Sequence, residues 1–274
     1  MILKNSLTAD SGSTKTEWRY VAADGRSYIY RTDGVNPYYQ TREEIVRQIE
    51  LQLLPHLSHY PTIIRFYGAG CSPEKAPIVQ EALHTLFPSA DISVGSDMLG
   101  AARLTCGNEP GIVCILGTGS NSCYYNGSSI VHNVSPLGYI LGDEGSGAVL
   151  GKILVGDVLK KQLPADLCEA FLHRFDVTPA ALIEHVYRRP FPNRYLAQFA
   201  VFYAEHPESD ELNLLLHDAF SAFVRRNLLQ YKDVTQLPIH FVGSIAYHYA
   251  DVLRKVLAEY NLQAATIRKT LFQQ

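Results

Sequence analysis

Asp10-Ser11-Gly12-Ser13-Thr14-Lys15-Thr16-Glu17, followed by Trp18-Arg19-Tyr20-Val21, is the stretch that decides the fold of this 274-residue chain. A short strand-like run enters a glycine turn, and a second strand-like run leaves it. Far downstream, Gly117-Thr118-Gly119-Ser120-Asn121 follows Gly111-Ile112-Val113-Cys114-Ile115-Leu116 in the same way. Glycine lets a backbone approach an anion closely. Consecutive N–H groups in such a turn, with Ser and Thr hydroxyls beside them, make a concave donor site suited to phosphate. A pair of these turns is suited to clamping a polyphosphate.

The rest of the composition is that of an ordinary globular protein, with 47% hydrophobic and 19% charged residues and length enough for two domains. A net charge of −3 leaves no basic field for nucleic acid or anionic membranes, so neither is expected as a partner. Apolar runs such as Ile112 to Leu116 fall far short of the roughly 20 residues of a spanning helix. The opening residues lack the pattern of a signal peptide and read as a first strand. Cys71, Cys106, Cys114, Cys123 and Cys168 are odd in number and show no Cys-x-x-Cys spacing, which suggests neither a disulfide framework nor a zinc ribbon and fits a reducing cytoplasm. His56 and His59 have no neighbouring carboxylate or Cys to complete a metal-ligand set.

Strand-like runs at 3–9, 17–22 and 27–32 read as a meander. Helical spacing over 42–54, with Ile45, Ile49 and Leu53 on one side, ends before Pro55. A strand at 62–68, a helix near 76–86 and a strand at 91–94 follow, the alternation of an α/β domain. The three-strand opening then restarts at 112–116, 121–125 and 129–134. This places a boundary between domains 1–110 and 111–274, the second enlarged by a helical insertion. Helices are expected over 145–163, 167–175, 179–187, 193–206, 211–231 and 247–260, with a strand at 239–242.

Common nucleotide signatures do not explain the turns. No G-x-x-x-x-G-K-[ST] is present, and Gly117-x-Gly119 lacks a third glycine and leads into a strand. A third element, Leu141-Gly142-Asp143-Glu144-Gly145-Ser146-Gly147, opens a helix whose first turn could point N–H groups at an anion.

Taken in order, 10–16, Gly34-Val35-Asn36-Pro37, Gly68-Ala69-Gly70-Cys71, Asp97-Met98-Leu99-Gly100-Ala101, 117–121, Pro136-Leu137-Gly138 with 142–147, and Val242-Gly243-Ser244 resemble the BadF/BadG/BcrA/BcrD-type ATPases, and within them the N-acetylglucosamine kinases. That group is part of the actin-like superfamily of sugar kinases and chaperones. The resemblance spans nearly the whole chain. It implies two α/β, ribonuclease H-like domains with an interdomain cleft that holds MgATP and a sugar, and dimeric relatives make a homodimer an assembly to test.

By that resemblance Asp10 would hold Mg²⁺, through water, and Gly12, Ser13, Thr14 and Lys15 would meet the phosphates. Thr118 and Gly119 would embrace the β and γ phosphates, and Gly243 and Ser244 would make room for adenine and ribose. Asp97 would take the proton of the attacking hydroxyl. Sugar recognition would come from Asn36, Asp97, Ser120, Asn121, Gly138 and Asp143, with Tyr38 or Tyr39 as an aromatic wall. Each polar residue also has a plain structural reading: Asp10 as a turn cap, Asp97 and Asp143 as helix caps, Asn36 as a turn residue before Pro37. The implied activity is ATP-dependent phosphorylation of an amino sugar. The alternatives are an ATPase that activates a reductive acyl-CoA dehydratase through a cysteine-held iron–sulfur cluster, and a sugar or nucleotide sensor without turnover.

Overall fold

The computed structural model describes residues 4–12 and 14–272. Two compact units divide between Leu104 and Thr105. The first opens on three antiparallel strands, β1 (Ser6–Ser11), β2 (Lys15–Val21) and β3 (Ser27–Asp33). Alternation sets their faces: in β1 Leu7, Ala9 and Ser11 are buried, whereas Thr8 and Asp10 point the other way. Helix α1 (Arg42–Gln52) begins at a capping box, in which Thr41 accepts from the Glu44 N–H and Glu44 accepts from the Thr41 N–H. Strand β4 (Ile63–Gly68), helix α2 (Ala76–Leu86), strand β5 (Asp91–Ser96) and helix α3 (Asp97–Cys106) follow, and the unit boundary falls inside α3.

Strands β4 and β5 add in parallel beside β1, giving the sheet order β3-β2-β1-β4-β5. Leu7, Ala9, Trp18, Ile64 and Phe66 on one sheet face join Ile45 and Ile49 of α1 and Val79 and Leu83 of α2 in a single core. Burying each large apolar side chain stabilises by roughly 1.5–3 kcal/mol. Asp10 lies on the opposite face.

The second unit repeats this plan strand for strand. Strands β6 (Pro110–Leu116), β7 (Ser120–Asn126) and β8 (Ile130–Val134) form the antiparallel opening, and β9 (Ile239–Val242) and β10 (Ala264–Arg268) add in parallel, in the order β8-β7-β6-β9-β10. The expected recurrence of topology is therefore present in both the order and the sense of the strands. Between β8 and β9 lie helices α4 (Gly138–Leu141), α5 (Gly147–Leu159), α6 (Ala165–Phe175), α7 (Pro179–Arg188), α8 (Pro192–Ala197), α9 (Val201–Glu205) and α10 (Asp210–Arg226). Helices α11 (Ser244–His248) and α12 (Ala250–Glu259) follow β9. Ile112, Leu116 and Phe241 of the sheet share a core with Leu150, Leu154, Phe199, Phe220, Phe223, Leu253 and Val256 from these helices.

Three expected helices are divided. The run over 211–231 ends as α10 at Arg226, with a 3₁₀ turn at Leu228–Gln230 beyond it. The run over 193–206 tightens into a 3₁₀ turn at Gln198–Ala200, next to the point where the Leu196 carbonyl abuts Gly151 of α5. The run over 247–260 starts earlier and breaks at Tyr249, a buried side chain whose hydroxyl donates to the Ala200 carbonyl. Strand β10 was not expected, because Ala-Ala-Thr-Ile-Arg has no clean alternation and is defined by its pairing with β9. Among the described residues no helix is long and apolar enough to cross a membrane.

Candidate active site

Register builds the first half of the site. Asp10 sits between Glu17 on β2 and Tyr67 on β4, and the row continues to Arg31 on one side and Gly95 on the other. Two carboxylates directly opposite each other repel. Glu17, which is buried, is compensated by Lys15 at 3.3 Å and Arg31 at 3.0 Å. Among the described residues no ion pair offsets Asp10. Burial pushes its carboxyl up to about 7 from an ordinary 3.8, with the charges of Asp97 and Glu17 adding to the shift and Lys15 opposing it.

Asp97 opens α3 immediately after β5, and burial raises its pKa too, against hydrogen bonds from backbone N–H groups. Its Oδ1 accepts from the Met98 N–H at 2.8 Å, while the Leu99 N–H donates to Ser96 Oγ at 3.2 Å. The helix cap is thus Ser96, and the plain capping role considered for Asp97 falls to its neighbour. Gly100 lets α3 press against the Tyr67 ring, since a Cβ there would collide with it.

A half-buried, uncompensated carboxylate beside a second one is the donor set of a divalent cation that takes one or two protein oxygens and fills its shell with water and phosphate. Among the described residues no group of three or more His, Cys, Asp or Glu side chains could hold a metal alone. Asp10 is of the residue type and burial that could contribute one oxygen to such a cation.

The first glycine turn is a hairpin closed by the Gly12 N–H donating to the Lys15 carbonyl at 3.0 Å. Gly12, Thr14 and Lys15 are exposed, and Ser13 lies outside the described residues. Beneath the turn, Ser11 Oγ and Thr16 Oγ1 lie 2.7 Å apart, and Ser11 Oγ also accepts from the Val35 N–H at 3.0 Å, which fixes the 34–37 segment. Asn36 does form the expected turn: its Oδ1 accepts from the Tyr38 N–H at 3.0 Å. Its amide is pressed against Gly70, where φ is +80° and a Cβ would overlap Asn36. Tyr38 and Tyr39 are 59% and 69% exposed.

The second turn is closed by the Gly117 N–H donating to the Gly119 carbonyl at 3.0 Å. Its carbonyls face helix α5: Gly147 N–H donates to Gly117 at 2.8 Å and Ala148 N–H to Thr118 at 3.0 Å. The next two N–H groups of α5, from Val149 and Leu150, are taken by Ser146 Oγ and the Ser146 carbonyl. That overturns the expectation of an anion site at this helix N-terminus, because its first four donors are already satisfied within the unit.

Ser146, not Asp143, caps α5. Asp143 has φ +55° and its carboxylate accepts from the Ser120 N–H, with Oδ2 3.0 Å from where a Cβ on Gly119 would stand. Burial pushes the Asp143 carboxyl up to about 6. Asn121 Oδ1 accepts from the Ser122 N–H and from Asn133 Nδ2, each at 2.8 Å, so this side chain is braced from β8. Ser120 is buried and Gly138 is exposed, with open space around it.

Gly243, with φ +124°, lies between β9 and α11, and Ser244 is exposed. A Cβ on Gly243 would collide with the Leu116 carbonyl, so the protein's own backbone demands glycine there whatever binds nearby. Gly243→Ala is expected to destabilise the protein by roughly 2–5 kcal/mol from strained φ and overpacking together. Urea unfolding of the mutant with an unchanged midpoint would contradict this.

Glu17 was missed as a site residue. The available signal was a charged residue amid the buried Thr16 and Trp18 of a strand.

Two copies of one sheet plan, each opening on a glycine hairpin, define an actin-like fold of two ribonuclease H-like domains. No protein-family model matches the chain, and no curated protein sequence matches it. Among solved structures, a provisionally assigned N-acetylglucosamine kinase from Porphyromonas gingivalis is 48% identical, with a TM-score of 0.93 over 97% of this chain and 95% of that one. The chain belongs to this N-acetylglucosamine kinase-like family of actin-like carbohydrate kinases. A provisionally assigned N-acetylglucosamine kinase from Chromobacterium violaceum (19% identity, TM-score 0.75, 99% and 97% of the two chains) shares the fold. So does a ROK family glucokinase from Streptomyces griseus, solved with glucose and AMPPNP (14% identity, TM-score 0.63, 96% and 94%).

Proposed function

We propose that the protein transfers the γ-phosphoryl group of MgATP to a hydroxyl of an amino sugar, the 6-hydroxyl of N-acetylglucosamine or glucosamine. The observation that carries this is Asp97, a half-buried carboxylate at the strand-to-helix junction close enough to Asp10 to raise its pKa. The likeness to the Porphyromonas gingivalis protein supports the amino sugar.

Asp97 accepts the proton of the attacking hydroxyl, and desolvation brings its basicity closer to the working pH. That proton leaves as the bond to phosphorus forms, so a carboxylate is basic enough. Asp10 would hold Mg²⁺, which supplies charge neutralisation on the phosphates. Gly12, Thr14 and Lys15 from domain 1–110, with Ser13, and Thr118 and Gly119 from domain 111–274 orient the phosphates, while Gly243 and Ser244 leave space for the nucleoside. Asn36, Ser120, Asn121, Gly138 and Asp143 bind and orient the sugar.

The dehydratase-activator alternative needs accessible, clustered thiolates. Cys71, Cys114 and Cys123 are buried, and burial raises the pKa of each thiol.

A coupled ADP-release assay with N-acetylglucosamine, glucosamine and N-acetylmuramate tests the function. Sugar-dependent ADP release is expected with at least one of the first two. Release no faster with any of the three than without sugar would overturn the kinase assignment.

A further inference from the structure

The residue after Asp143 has a network of its own. Glu144 is 16% exposed at its side chain, and its Oε1 accepts from Arg226 Nε at the end of α10. Its Oε2 accepts from Asn227 Nδ2 at 3.3 Å, and Asn227 is itself buried at 4% exposure. The carboxylate is therefore held on both oxygens by adjacent residues of one helix end.

Backbone constraints around it leave little slack. Gly142 is fixed because a Cβ would overlap the Pro136 carbonyl, and the Asp143 N–H donates to that same carbonyl at 2.9 Å. Gly145, with φ +71°, sits against Phe220 and Phe223 of α10, each 3.3 Å from where a Cβ would lie. Within this segment Asp143 carries a φ of +55°, an unfavourable conformation for a non-glycine residue. Its backbone and carboxylate bonds to Pro136, Ser146 and Ser120 hold it locally, and Glu144 ties the segment to α10.

We propose that Glu144, Arg226 and Asn227 form a positioning clamp that holds Asp143 in its left-handed conformation, so that its carboxylate stays on the Ser120 N–H and is presented to the sugar. The clamp acts through Asp143, so this inference rests on the assignment of Asp143 to sugar binding. An interaction made equally in ground and transition states changes KM and leaves kcat nearly constant. Loosening the clamp therefore weakens sugar binding selectively.

The test uses the full-length protein with N-acetylglucosamine as the probe and compares Glu144→Gln, Arg226→Gln, the double variant and Arg226→Lys. Arg226 is 60% exposed at its side chain, so its replacement leaves the core intact even if Glu144→Gln folds poorly. The sugar KM should rise on the order of tenfold in each single Gln variant, about the loss of one hydrogen bond to a charged group. The ATP KM should stay within about twofold, the double variant should be no worse than either single one, and Arg226→Lys should recover part of the loss. An unchanged sugar KM in both single variants, where Asp143→Asn raises it, would overturn the clamp alone. An unchanged sugar KM in Asp143→Asn would remove the assignment on which the clamp depends. A uniform rise in both KM values with a matching fall in melting temperature would make the network merely structural and also reject the proposal.

Discussion

Asp97→Asn is expected to lower kcat by roughly 10²–10⁴-fold, the usual contribution of a positioned acid or base. The amide keeps the shape of the carboxylate and can still accept from the Met98 N–H through its oxygen, but it cannot take a proton. Because Ser96 caps α3, the substitution leaves the helix start intact, and its melting temperature should not fall. Steady-state kinetics with N-acetylglucosamine, alongside calorimetric binding of an ATP analogue, would separate the effects. A mutant with more than about half the parent rate would take Asp97 out of the chemistry.

Asp10→Asn is expected to abolish magnesium-dependent turnover while making the ligand-free protein more stable. The sign follows from the raised pKa of about 7. An acid whose pKa is higher in the folded state binds more protons folded than unfolded between its unfolded value and about 7. The stability it contributes is thus full below the unfolded value of 3.8 and is lost as pH rises through 7. Asparagine has no charge to desolvate, so the mutant should melt higher at pH 8, with the gain shrinking toward pH 4. A gain of 1 kcal/mol corresponds to roughly 2–4 °C for a domain of 150–250 residues. In the parent, protons compete with Mg²⁺ for Asp10, and the metal concentration for half-activation should rise about tenfold per pH unit below 7. Equal half-activation at pH 6 and pH 8 would show that Asp10 does not anchor the metal.

Much of this was readable in the sequence because it depends on local rules. The first strand, the helix with Ile45 and Ile49 on one side and the two glycine hairpins each follow from residues close together in the chain. The opposed pair Asp10 and Glu17 was also local, yet its meaning was not. Only the sheet register sets the two carboxylates opposite each other, and Arg31, from a third strand, joins Lys15 in neutralising one of them. The plain capping readings of Asp97 and Asp143 gave way for a related reason. Ser96 stands next to Asp97 and Ser146 three residues after Asp143, and backbone geometry, which composition does not encode, decided which oxygen meets the helix. Glycine at 243 was read as space for a ligand; the Leu116 carbonyl, distant in sequence, requires it independently of any ligand.

The coupling of the second turn to α5 has a mechanical consequence. Since the Gly117 and Thr118 carbonyls are the acceptors for the first two N–H groups of that helix, the turn cannot flex alone. The helix has 13 residues and extends about 20 Å at 1.5 Å per residue, and Leu150 and Leu154 wedge it into the core. Any push on Thr118 is delivered to the end of a stiff rod, and the far end of that rod becomes a lever acting on the helical insertion.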